Sequence, residues 1–148
     1  MASLADFFPE EERKGFAERN IGVGTVIRDY EVIADKEKFF VVVGVNNGRA
    51  TLATVLVNTR INTNVFRTLD QQKLHVKMIA SESNGIFTND CFVNCTFLHE
   101  KELDTMQQRL SDDTNTLRGV LTADQIAEIK SALRKADIAP YLLKRYNI

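Results

Sequence analysis

The chain has 148 residues, of which 44% are hydrophobic and 26% charged, with 7 Gly, 2 Pro and 2 Cys. This composition excludes collagen-like, low-complexity and disulfide-scaffold classes, and the length suits one domain able to bury a core without covalent or metal staples. A formal charge of −1 excludes attraction of nucleic acid by net charge alone. Residues 1–148 are read as a single domain, with an N-terminal helical extension at 1–21, a β barrel core at 22–98 and a helical C-terminal part at 99–148. The first thirty residues hold no long apolar run, so neither a signal peptide nor a membrane span is expected. Two cysteines are too few for a secreted framework, which points to a reducing, cytoplasmic setting.

In chain order, Pro9 followed by Glu10, Glu11 and Glu12 predicts a short helix from Pro9 to Glu18, because proline suits a first helical position and carboxylates complement the helix amino terminus. The Gly22-Val23-Gly24 pair reads as a bend. From there Val, Ile, Thr, Phe and Tyr dominate, a strand composition. Thr25–Ile33 is the first expected strand. Phe39–Val45, apolar on both faces, is the second and is expected to be central in its sheet. Asn46-Asn47-Gly48 is a hairpin signal because Asn and Gly tolerate positive φ, with Thr51–Thr59 as the antiparallel partner. A polar bend at Arg60–Asn64 leads to a fourth strand at Leu74–Ile79, a Ser83-Asn84-Gly85 turn and a fifth at Asp90–Leu98. Five strands at this spacing predict a mainly β fold with α (α+β), a small, SH3-like curved antiparallel barrel. A helix is expected at Glu100–Leu110. Thr122 and Gln125 form a capping box for a last amphipathic helix carrying Ile126, Ile129 and Leu133 on one face. That helix stops before Ala139-Pro140, since the residue preceding proline avoids the helical region.

The chemistry-bearing residues are few. Four residues of strand separate Cys91 from Cys95 by about 13 Å, too far to share an ion bound at about 2.3 Å from each sulfur, so both are read as core residues and no metal site is expected. Nucleotide-loop, Gly-x-Ser-x-Gly and His-Glu-x-x-His patterns are absent from the chain, and no cofactor is expected. A basic band remains. Between residues 38 and 80, Lys38, Arg49, Arg60, Arg67, Lys73 and Lys77 are opposed only by Asp70, and Asn58, Thr59, Asn62, Thr63 and Asn64 are interleaved with them. Cations with amides and hydroxyls suit phosphate oxygens and base edges; the same pattern also describes a solvated face. His75 titrates near neutrality and is a candidate general acid or base, or a structural histidine.

Gly24-Thr25-Val26-Ile27-Arg28-Asp29-Tyr30, Asp35-Lys36-Glu37-Lys38 before Phe39–Val43, Val55–Arg60, Cys95–Leu103 and Gly119-Val120-Leu121-Thr122 come in an order that resembles the MazF/PemK-like toxin family. The resemblance covers residues 22–137. Where that family usually has Arg-Pro at the start of its second strand, this chain has Lys38-Phe39, which keeps the charge without the planar fork. The resemblance implies a homodimeric, metal-independent endoribonuclease that cuts single-stranded RNA by attack of the ribose 2'-oxygen, leaving a cyclic phosphate and a 5'-hydroxyl, and that is neutralised by an antitoxin protein. Lys38 then stands where the family's catalytic arginine stands and Thr59 where its phosphate-contacting threonine stands. Arg60 is added from adjacency and charge, and His75 completes the catalytic set. Arg49, Asn58, Asn62, Arg67, Lys73 and Lys77 form the RNA-binding set. The alternative is a catalytically silent SH3-like barrel that binds protein or nucleic acid. A third reading is an interaction subunit, docking through the Ile126, Ile129 and Leu133 face or through Tyr141-Leu142-Leu143.

Overall fold

The computed structural model describes residues 21–31 and 35–148; the expected helix at Pro9–Glu18 and the expected strand end at Val32 and Ile33 lie outside them. Six strands form one curled antiparallel sheet: β1 (Thr25–Glu31), β2 (Lys36–Asn46), β3 (Thr51–Asn58), β4 (His75–Met78), β5 (Cys91–Glu102) and β6 (Leu117–Val120), in the order β4-β5-β3-β2-β1-β6. Four helices accompany it among the described residues: α1 (Leu69–Lys73), α2 (Leu103–Asp112), α3 (Ala123–Lys135) and α4 (Pro140–Arg145). The fold is therefore mainly β with some α. Among the described residues no helix is long and apolar enough to cross a membrane.

β2 is central, as its two apolar faces require. Val41 and Val43 pack on one side of the sheet and Phe40 and Val42 on the other, all fully buried. On the first side α3 lays Ile126, Ile129 and Leu133 against Val26, Val55, Val93 and Cys95. This helix face is consumed by the chain's own core. On the second side Leu103 and Met106 of α2 cover Ile27, Phe40 and Leu52. Cys91 and Cys95 are free and buried, and burial pushes their thiols up to about 11 and about 12, so both are protonated core residues at neutral pH.

The capping box is present at the start of α3, where Thr122 Oγ1 accepts from the Gln125 N–H and Gln125 Oε1 accepts from the Thr122 N–H. A second such box, Thr68 with Gln71, starts the short α1. Positive φ occurs at Asn84 and Gly85 of the expected turn and at Gly24 of the expected bend. The β2–β3 turn is built differently from the expectation. Its left-handed residue is Ala50, φ 52°, while Asn46 Oδ1 accepts from the Arg49 N–H, so a longer loop ending in a left-handed residue replaces the tight turn.

Three further differences have physical causes. Glu100–Glu102 are strand, because Leu52 pairs with Lys101 and Thr51 with Glu102; pairing along β3 outweighs the helical composition there. Leu117–Val120 is a sixth strand held by β1. Its Gly119 accepts the approach of Ile86, whose Cγ1 would lie 2.6 Å from an added Cβ, and this contact brings the β4–β5 connection back over β6. Finally, Pro140 begins α4 as well as bounding the helix before it, as proline at a first helical position allows.

Candidate functional site

Strand register places Asp29 of β1 opposite Lys38 of β2, and Phe92 of β5 opposite both Asn58 of β3 and Lys77 of β4. The β2–β3 ladder, in which Phe40 opposes Leu56, brings Lys38 beside Asn58, and Lys38 Nζ donates to Asn58 Oδ1 at 2.5 Å. Thr59 comes next, at the end of β3. On the other flank Arg28 opposes Phe39, and its Nε lies 3.3 Å from Glu37 Oε2 while Nη2 lies 3.9 Å from Asp113 Oδ2.

Arg28, Glu37, Lys38, Phe39, Asn58 and Thr59 line a cleft of about 350 Å³ that also takes in Lys36, Val57, Phe87, Thr88, Asn89 and Cys91. Three cations, Arg28, Lys36 and Lys38, face one carboxylate, Glu37. Phe39 and Phe87, with ring centroids 6.2 Å apart, supply an apolar wall. Burial lowers the Lys38 ammonium below its ordinary pKa; the neighbouring Lys36 charge adds to this and Glu31 opposes it. A half-buried cation held by an amide oxygen, beside a hydroxyl and a guanidinium, is equipped to hold an anion and to give up a proton more readily than a solvated lysine.

Of the residues singled out from the sequence, Lys38, Asn58 and Thr59 are thus brought together. Arg60 is exposed beyond the cleft. Arg49 sits in the β2–β3 turn. Asn62 accepts from the Asn64 N–H, and Arg67 Nε donates to the Asn64 carbonyl, in the loop before α1. Lys73 ends α1 and Lys77 lies on β4. Sequence reading missed Arg28, Lys36, Glu37, Thr88 and Asn89 as cleft residues. Lys36 and Glu37 were signalled only by contiguity with Lys38; the others reach the cleft through strand pairing and the returning β4–β5 connection.

His75 is apart from the cleft. It is 7% exposed, with Nδ1 3.1 Å from the Gln71 carbonyl, an edge-on contact to Phe66 at 4.4 Å, and a buried Nε2 with no partner among the described residues. The carbonyl fixes the neutral tautomer with the proton on Nδ1. Burial lowers its pKa, opposed by hydrogen bonding to the Gln71 and Gln72 backbone. His99, set edge-on to Phe40 and Phe97, is lowered by burial, with Glu31 opposing and Lys101 adding.

Both histidines therefore contribute stability that is complete above the unfolded value near 6.5 and lost as pH falls from there through the lowered folded values, because the unfolded chain takes up protons first. Urea denaturation should show stability declining from pH 7 to 5, with a shallower decline in His75→Gln; identical slopes would show that His75 does not contribute to it.

No protein-family model matches the chain, and no curated protein matches it significantly.

Proposed function

We propose that the cleft at the start of β2 binds a phosphodiester of single-stranded RNA and cuts it without metal. The observation that carries this reading is the meeting of Lys38 and Thr59, 21 positions apart in the chain, with Arg28, Lys36 and Asn58 around one cavity. In the proposed reaction the ribose 2'-oxygen forms a bond to phosphorus as the bond from phosphorus to the 5'-oxygen breaks. The 2'-proton passes to the Glu37 carboxylate, and the lowered Lys38 ammonium protonates the departing 5'-oxygen. Thr59 and Arg28 donate to the non-bridging oxygens, where charge accumulates. The products carry a cyclic phosphate and a 5'-hydroxyl.

A second reading, a catalytically silent barrel that binds nucleic acid or protein, is favoured by one observation: neither His75 nor His99 lines the cleft. Incubation with mixed-sequence RNA in EDTA, followed by end-group analysis, separates the two. Lys38→Ala and Thr59→Ala are expected to slow cutting by about a hundredfold or more. Equal cutting by both variants would overturn the site, and RNA bound but uncut would replace the enzyme with the silent module. The homodimer and the neutralising antitoxin rest on the family resemblance alone. Light scattering tests the first, and a strict monomer at all concentrations would remove it.

A further inference from the structure

Lys38 is half-buried, whereas Lys36, Lys73, Lys77, Lys135 and Lys144 are exposed. Its Nζ enters no ion pair among the described residues, and the group it donates to, Asn58 Oδ1, is neutral. An amine that gives one N–H to an amide oxygen keeps its lone pair directed away from that oxygen. Burial and the Lys36 charge both lower its pKa, with Glu31 opposing, so more of it is the unprotonated nucleophile than in a solvated lysine. Lys101 is also lowered by burial, but Asp29 holds its ammonium at 2.7 Å. The lining around Lys38 is of two kinds. Phe39, Val57 and Phe87 are apolar, while Arg28 and Lys36 are cationic with the Thr59 hydroxyl for company. Glu37, the carboxylate of the lining, is paired with Arg28, which leaves a net positive cleft that attracts anions.

We propose that Lys38 is an acylation site, taking an acyl group from an acyl phosphate bound in this cleft. Such a donor has the parts that the lining answers: a phosphate for Arg28, Lys36 and Thr59, an apolar acyl group for Phe39 and Phe87, and between them an electrophilic carbon for the amine. The Lys38 nitrogen forms a bond to the acyl carbon as the bond from that carbon to the phosphate oxygen breaks. The electron pair of the broken bond leaves with inorganic phosphate, and the surplus proton on nitrogen passes to it. The product is a neutral amide, so the cleft loses a cation and the proton that Lys38 gives up in the proposed cutting. The modification itself needs no RNA, and it stands or falls separately from the RNA reading.

The probe is acetyl phosphate, incubated with the full chain. After quenching, the remaining amines are capped with heavy acetic anhydride under denaturing conditions, and the light-to-heavy ratio at each lysine is read by mass spectrometry. Lys38 should be acetylated at least about tenfold faster than the exposed Lys73, Lys77, Lys135 and Lys144, the gain expected of a charged cleft that concentrates its ligand. Sulfate, compared with chloride at matched ionic strength, should slow Lys38 and leave the other four unchanged, because it competes for the phosphate seat. Lys36→Gln should slow Lys38 with acetyl phosphate more than with the neutral donor p-nitrophenyl acetate, since it removes an anion contact as well as a charge that lowers the amine. A Lys38 rate within about threefold of the exposed lysines overturns the site; so small a ratio falls below any concentrating effect of the cleft. Fast labelling that is indifferent to sulfate, or equally selective with p-nitrophenyl acetate, overturns the acyl phosphate as donor. The sulfate comparison uses the unaltered chain, so the test holds even if the variant fails to fold.

Discussion

Asp29→Ala is expected to destabilise the fold by about 3 kcal/mol, the lower end of the cost of removing one member of a buried charged group. Asp29 is 7% exposed on β1. Its Oδ2 accepts from Lys101 Nζ at 2.7 Å, and its Oδ1 is paired with Arg109 of α2 and accepts from the Tyr30 N–H at 2.9 Å. The same ammonium lies 3.9 Å from the centre of the Phe40 ring. Burial lowers the Lys101 pKa, with the Glu31 charge opposing it. Without Asp29 this ammonium stays desolvated with its nearest counter-charge gone, whereas Arg109, half exposed, recovers water; that difference sets the lower end. Adding Lys101→Met to Asp29→Ala should therefore recover more than half of the loss, since the uncompensated charge goes with the side chain. Urea midpoints read both. A loss below about 1 kcal/mol in the single variant, as expected for a surface pair, would show that the three groups act as exposed charges.

Gly44→Ala should destabilise the protein by about 2 kcal/mol, in the range for overpacking a filled core, and the loss should vanish when Tyr146 is removed. Gly44 sits where the β2–β3 register shifts, directly under Tyr146, whose Cγ would lie 2.9 Å from an added Cβ. The tyrosine cannot simply swing away. It is 2% exposed, its hydroxyl is 2.8 Å from Thr51 Oγ1 and donates to Glu100 Oε2 at 2.5 Å, and the adjacent Arg145 holds the same carboxylate at 3.1 Å. Tyr146→Gly, which removes both the ring and the Cβ that lies nearest an added Gly44 Cβ, should alone cost about 4 kcal/mol. In that background Gly44→Ala becomes neutral or stabilising by about 0.5 kcal/mol, because alanine is less costly to order than glycine. Equal effects of Gly44→Ala in both backgrounds would show that the contact does not restrain this position.

Both variants act on features that have no local signature, and the same holds for much of the cleft. Composition and alternation were enough to find β1 to β5, the central place of β2, the two core cysteines and the capped α3, because each depends on residues within a few positions. Local signals failed where a distant strand competed. Glu100–Glu102 are helix-compatible but pair with β3, and Leu117–Val120 is too short to declare itself without β1. Charge density alone selected a wide basic band, from which the sheet gathered Lys38, Asn58 and Thr59 and left Arg49, Arg67 and Lys73 on separate turns and helix ends.

By itself the sequence determined a mainly β fold closed by an amphipathic helix, with an unusual run of cations and amides through its middle, since period and composition act over short range. Only the tertiary structure decided that Arg28, Lys36 and Glu37 join Lys38 in one cleft, that Asp29 meets Lys101 and Arg109, and that Tyr146 lies over Gly44. Those outcomes depend on register: a shift of one residue along a strand turns each side chain to the opposite face, and register is set by the pairing of segments tens of residues apart.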